Sequence, residues 1–351
     1  MSEMIPTVES EALKVAAQGR GSAAHPVEYM DEIARMLGDE LPRLERLLVA
    51  SDGGPAVLEE AATHLVGAGG KRVRPLSMLL TTAACGGDIR RATPLSASVE
   101  LIHSATLLHD DVMDEGETRR GRPASRVLWG NLVSVLGGDL LLTRALELVQ
   151  EAGIPGVMND TLRAMRSLIA GEVAQLSARG KDDLGIEGYL EIVRGKTASL
   201  FAHACRTGAR VAAMDAPVQA ELIDAAGRFG ERVGIAFQII DDVLDLEGVP
   251  HEVGKRLGHD LAEGKTTLPL ALALEHDADR LRPLLVDARA GDTLAAARVA
   301  QTDSVRAGCE KARAYALGQT EQGLAALSGL PASRQRSLLQ SLVRGLIERR
   351  V

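Results

Sequence analysis

Aromatic side chains are scarce, at 2% of the 351 residues, with one Trp, three Tyr and three Phe. Strands draw on aromatic and β-branched residues, so the shortage argues against a sheet-based core. Ala, Leu, Arg and Glu are abundant and favour helix, so the expected fold class is all-α. Cysteine is also sparse. Cys85, Cys205 and Cys309 lie far apart with no CxxC spacing. That excludes a thiolate zinc cluster, argues against a disulfide framework and fits a reducing cytoplasm. No run approaches the ~18 apolar residues of a membrane span. The opening MSEMIPTVESEALK has early acids and no apolar h-region, so neither a transmembrane segment nor a signal peptide is expected. A basic excess is missing too: the formal net charge is −8, which argues against a nucleic-acid partner. GxSxG is absent. So is a Walker A loop, because GAGGKRVRP has the wrong glycine spacing and no Ser or Thr after its Lys.

What is present is a large apolar fraction, 46%, enough for a sizeable core. Residues 1–27 read as a flexible N-terminal tail rich in small and turn-forming residues. From there helical patterns follow one another, punctuated by SDGGP, CGGD, GIPG, MDAP and LEGVP. With no linker or solenoid-length repeat, residues 28–351 are expected to form a single helical domain.

Two acidic motifs stand out. Asp110, Asp111 and Asp114 read DDVMD, and Asp241, Asp242 and Asp245 read DDVLD. Residues i and i+4 share a helix face, as do i+1 and i+4, so each motif gathers three carboxylates within one turn. Each follows a stretch that looks buried, VELIHSATLLH or GIAFQII. Stacked like charges there are destabilising unless a cation neutralises them. Carboxylates with no cysteine and few imidazoles nearby suit a hard cation, and Mg²⁺ takes one or two carboxylates while sharing substrate phosphates. Positive charge lies close by: Lys71, Arg72 and Arg74 after a glycine run, Arg119 and Arg120 in TRRGRP, Lys196 in VRGKTASL, and Lys255 and Lys265 in GKRLGHDLAEGKTTLP. Together they suggest sites for two diphosphates, one of them metal-bridged.

These segments, in this order, resemble the trans-isoprenyl diphosphate synthases, or polyprenyl synthetases. The resemblance runs from about Leu65 to the C-terminus through GGKRVRP, ELIHSATLLHDDVMDEGETRRGRP, GGDLLLTRAL, AGEVAQL, GKTASL, FQIIDDVLDLEG and GKRLGHDLAEGKTTLPL. The subgroup it is most similar to is the bacterial long-chain, octaprenyl-type synthases. The resemblance implies a helical bundle around a deep central cavity, a homodimer, and Mg²⁺ as cofactor, about three ions per site with substrate bound. It implies that an allylic diphosphate ionises, that isopentenyl diphosphate attacks the cation, and that released pyrophosphate takes the proton. The metal positions are Asp110, Asp114 and Asp241, with Asp111 and Asp245. Asp242 belongs to the second motif. Lys71, Arg74, His103 and Arg120 match the isopentenyl diphosphate site. Arg119, Lys196, Lys255 and Lys265 match the allylic diphosphate contacts, with Thr197 and Gln238 near the reacting carbons. His103 lies seven residues before Asp110, about two helical turns, and so shares its face. His109 reads as packing, Glu172 and Gln175 as a cavity-lining or interhelical hydrogen-bonding pair, and Gly227, Gly230 and Gly234 as a close helix contact.

Members of the resembled family that stop at short products commonly block the level one turn below the first motif with an aromatic side chain, or insert two residues in the motif. This chain carries Ala105 and Thr106 there and no insertion. The product is therefore expected beyond geranylgeranyl, in the C30–C50 class, with transient membrane association for its release. A short-chain farnesyl or geranylgeranyl diphosphate synthase is the alternative within the same reaction class, and two others remain outside it. A class I terpene cyclase has no use for a second diphosphate site. A non-catalytic subunit of a heteromeric synthase typically loses aspartates or basic residues that are intact here.

Overall fold

The computed structural model describes residues 25–51, 53–215, 218–247 and 258–348. Apart from one two-stranded hairpin, the regular elements of these residues are helices. In chain order they are α1 (His25–Leu37), α2 (Glu40–Leu48), α3 (Ala56–Val66), α4 (Val73–Ala84) and α5 (Ile89–Met113). The hairpin strands β1 (Thr118–Arg119) and β2 (Arg122–Pro123) come next, then α6 (Ser125–Ala152), α7 (Val157–Ala178) and α8 (Gly185–Val193). A π turn over Arg194–Ala198 leads into α9 (Ser199–Ala212), followed by α10 (Ala220–Glu247), α11 (His259–Ala262), α12 (Leu268–Arg289), α13 (Thr293–Gln301), α14 (Asp303–Ala326) and α15 (Arg334–Ile347). Among the described residues, no helix is long and apolar enough to cross a membrane.

The chain clusters into two compact units. One holds residues up to 158 with 207–223 and 330–342; the other holds 159–206, 224–329 and 343 onward. In the first, α5 packs against α6, α4 and α2. Helix α5 begins where Asp88 accepts a bond from the Arg90 amide at 3.0 Å, satisfying one of the unpaired N–H groups of a first turn. Pro94 lies inside it and leaves the Arg90 carbonyl without its helical donor. Arg43 fills the gap, its Nη1 donating to that carbonyl at 2.9 Å. The second unit has a continuous apolar core from α8, α10, α12 and α14, including Ile239, Ile240, Val243, Leu268 and Leu281. With so few aromatics, closure depends on aliphatic and small side chains that let helices approach closely.

Candidate active site

The first acidic motif ends α5. Met113 is its last residue, and Asp114 caps it through a backbone bond to the Asp110 carbonyl at 2.8 Å. His103, Thr106, Leu107, Asp110 and Asp114 recur at helical spacing and are each half-buried on a helix whose other residues are mostly buried. They form one accessible stripe along it. Ala105 falls off that stripe and is fully buried, so its small size serves packing, and Thr106 and Leu107 hold the accessible positions one turn below Asp110. Asp111 faces inward, 1% exposed. Its Oδ1 accepts from Arg119 Nε at 2.9 Å and Nη2 at 2.5 Å, while Oδ2 is buried without a hydrogen-bond partner.

Arg119 and Arg120 reach their positions through the hairpin. Strand β1 pairs with β2 so that Thr118 faces Pro123 and Arg119 faces Arg122. The intervening Arg120 and Gly121 both have positive φ, 51° and 72°, the combination a type I′ turn requires. That turn aims the Arg120 guanidinium at the end of α3 and the loop after it, where Nη1 donates to the carbonyls of Leu65, at 3.2 Å, and Gly69. Nη2 lies 3.9 Å from Glu100. Arg72 in the same loop is a folding residue: it is buried and donates to Glu45, Glu100 and the Val66 carbonyl. His103 faces this basic group. Burial first, then the charges of Arg74, Arg120, Arg119 and Arg72, hold its imidazole well below the usual range. It is therefore neutral at physiological pH, a hydrogen-bonding group among guanidiniums. His109 lies against α6 instead, with Nε2 3.1 Å from the Val135 carbonyl and in the space a Cβ at Gly138 would fill.

The second motif ends α10. Asp242 is 3% exposed and accepts two bonds, from Tyr189 Oη at 2.6 Å and from Gln238 Nε2 at 2.8 Å. Gln238 in turn accepts from Thr197 Oγ1 at 2.8 Å. Burial, then Asp260 and Asp241, push the Asp242 carboxyl well above the usual range, against the pull of the Tyr189 and Gln238 bonds. Asp242 thus orients Gln238 and Thr197, while Asp241 and Asp245 keep partial exposure. Asp245 also holds α11, its Oδ2 accepting from the Asp260 amide at 3.1 Å. Lys265, just past that helix, pairs with Glu263 and, at 3.3 Å, with Asp260. Lys255 lies outside the described residues. Lys196 sits in the π turn and pairs with Glu172, so Glu172 serves Lys196 rather than a bond to Gln175. The turn presses on α7: a Cβ at Gly171 would lie 2.3 Å from the Lys196 nitrogen. Tyr189 had no signal in the sequence, because its partner lies 53 residues away.

Both motifs therefore end helices that carry no basic residue in their last turns. A helix C-terminus already bears partial negative charge, so these aspartates add repulsion that a cation relieves. Hard oxygen donors suit Mg²⁺. Among the described residues no group of three or more His, Cys, Asp or Glu converges closely enough to hold an ion alone.

A model of the family described as Polyprenyl synthetase matches residues 55–301. The chain belongs to the polyprenyl synthetase family. It is accordingly a prenyltransferase of the trans-prenyl diphosphate synthase type, and its helical fold is that of the isoprenyl synthases. A protein named heptaprenyl diphosphate synthase component 2, from Geobacillus stearothermophilus, is 36% identical over 87% of this chain and 94% of its own length. A short chain isoprenyl diphosphate synthase from Methanothermobacter thermautotrophicus is 35% identical over 85% of this chain and 92% of its own. The crystal structure of a polyprenyl synthase from Caulobacter crescentus, complexed with calcium and isoprenyl diphosphate, superposes with a TM-score of 0.83. It is 36% identical and covers 92% of this chain and 98% of its own. Relatives at similar identity thus carry names spanning long and short products.

Proposed function

We propose that this chain condenses isopentenyl diphosphate with an allylic diphosphate, head-to-tail and in trans, in a Mg²⁺-dependent reaction that runs beyond geranylgeranyl to the C30–C50 class. The observation that carries the reading is the pair of acidic helix ends with no basic residue in their last turns. When bound there, Mg²⁺ supplies charge neutralisation for a leaving diphosphate. At the first motif Asp110 and Asp114, with the unpartnered Oδ2 of Asp111, would hold it, and at the second motif Asp241, with Asp245. Lys71, Arg74, Arg120 and neutral His103 receive isopentenyl diphosphate, and Lys196, Lys255 and Lys265 receive the allylic one. Arg119 contributes positive charge at the first motif while locked on Asp111. Thr197 and Gln238, held by Asp242, present fixed dipoles to the developing allylic cation. Pyrophosphate accepts the proton, so no side chain is assigned as base.

The long product rests on Thr106, a small side chain on the accessible stripe four residues before Asp110, where no aromatic stands. A homodimer is supported by exposed apolar side chains on two helices, Leu132 at 73% on α6 and Ile169 at 62% on α7, whose burial against a second copy is favourable. The Geobacillus relative's designation as a component favours a second reading, pairing with a different chain. A cytoplasmic location fits the free thiols: burial raises Cys85 to about 11 and, with Glu247, Cys309 to about 12, leaving both unreactive. Mass spectrometry of products from purified protein, Mg²⁺, isopentenyl diphosphate and farnesyl diphosphate tests the reading. A ladder beyond geranylgeranyl is expected, with turnover lowered by on the order of 10³ in Asp110→Ala at unchanged helicity. No product from the wild-type chain alone favours the heteromer, and near-normal Asp110→Ala rates refute the metal assignment.

A further inference from the structure

A cavity of about 350 Å³ opens in the second unit among α7, the π turn, α9 and α10, and none of the aspartates or lysines assigned above lines it. Its size is at the lower end for small-molecule sites. Its charge is lopsided: Arg163, Arg194, Arg206 and Arg228 line it against Asp160 and Glu231, with His203. Asp160 holds Arg163 at 2.9 Å, and Arg194 bonds Glu187 at 3.1 Å. The other two arginines are less satisfied. Among the described residues Arg228 makes no ion pair or hydrogen bond. Arg206 reaches Asp224 only at 3.6 Å, beyond hydrogen-bond distance, and its Nε is buried with no partner. A buried, unpaired guanidinium donor in a folded protein calls for a partner.

Glycines on α10 show that the position of Arg206 is built in. A Cβ at Gly230 would lie 2.3 Å from the Phe201 carbonyl oxygen, and one at Gly234 would lie 2.6 Å from the Ala198 Cα. Those two serve close helix packing. A Cβ at Gly227 would instead lie 2.7 Å from Arg206 Nη2, so this glycine houses a guanidinium. His203, which also lines the cavity, is 4% exposed, and its Nε2 lies 3.2 Å from Thr161 Oγ1.

We propose that this cavity is a binding site for a small phosphate-bearing anion, received by Arg206 and Arg228 with Arg194 at the rim. Guanidinium forks match phosphate oxygens bidentately, and the anion satisfies Arg206 Nε. The site has a route to the reaction. Arg194 and Gly195 are the first residues of the π turn, and Lys196 and Thr197 are the next two. Occupancy restrains that turn and changes the affinity for the allylic diphosphate. This consequence rests on the assignment of Lys196 and Thr197 above; the binding itself does not.

The test titrates the full chain, without substrates or Mg²⁺, with inorganic phosphate by calorimetry. Arg228→Glu, at an exposed residue without partners, and Gly227→Ala, which displaces Arg206, are each expected to weaken one class of site about tenfold or more. Arg120→Ala should leave that class intact. Wild-type binding in both Arg228→Glu and Gly227→Ala overturns the proposal. Glycerol phosphate binding without sedimentation on phosphatidylglycerol vesicles assigns a soluble ligand, whereas vesicle binding lost in Arg228→Glu assigns a lipid headgroup. Finally, phosphate should change the KM for farnesyl diphosphate in the wild type but not in Arg228→Glu. An equal effect in both places that inhibition at the substrate site and refutes the coupling.

Discussion

Gly171 offers the sharpest test of how the π turn presents Lys196 and Thr197. A Cβ built there lies 2.3 Å from the Lys196 nitrogen and 2.8 Å from the Gly195 carbonyl carbon, both backbone atoms that cannot rotate away. Comfortable contacts lie at about 3.5 Å. Gly171→Ala therefore pushes α7 and the turn apart by about 1 Å. A misplacement of that size in a group contacting the substrate lowers turnover on the order of 10²-fold, or about 2.7 kcal/mol of barrier. Overpacking also costs about 1–3 kcal/mol of stability, offset in part by about 1 kcal/mol from the better helix propensity of Ala. The assay is kcat at saturating farnesyl and isopentenyl diphosphates, beside a urea unfolding curve. Gly318→Ala is the control, because a Cβ there meets nothing within 4 Å. It should leave kcat unchanged and stabilise α14 by about 1 kcal/mol. A Gly171→Ala enzyme with kcat within about threefold of wild type would refute the account, since a real 1 Å shift acts more strongly.

Other expectations follow from named contacts. Tyr189→Phe removes one of the two donors to buried Asp242 without opening a cavity. It should lower stability by about 1.5–3 kcal/mol and couple with Gln238→Ala in a double-mutant cycle, whereas additive effects would separate Tyr189 from the chain to Thr197. Burial, with Arg206 and against Asp160, pushes His203 down to about 4, so the native state binds fewer protons there than the unfolded chain. Its contribution is complete above the ordinary imidazole pKa of about 6.5 and is lost as pH falls toward 4, on the order of 3 kcal/mol. His203→Gln should flatten the fall in urea midpoint across that window, and an unchanged slope would contradict the burial argument. Thr106→Phe should shorten the product, as read by mass spectrometry, and an unaltered ladder would move the length control off α5.

Some of this was legible in the sequence because it is local. Scarce aromatics and abundant Ala and Leu imply helices, and glycine and proline clusters mark breaks that the structure places between α2 and α3, α4 and α5, and α6 and α7. Helical spacing put Asp110, Thr106 and His103 on one face, because 3.6 residues per turn holds whatever the surroundings. Spacing cannot tell which of three adjacent carboxylates turns inward. Asp111 is buried because Arg119 folds back across a type I′ hairpin, and Asp242 because Tyr189 reaches it from α8. The same limit hides that Arg72 is locked between Glu45 and Glu100. It also separates Gly227, which houses a guanidinium, from Gly230 and Gly234, which meet backbone. The sequence alone determined the helical class, the family motifs and their faces. Tertiary structure alone decided which charges are paired for folding and which stay accessible, because a side chain's partner depends on packing between segments distant along the chain.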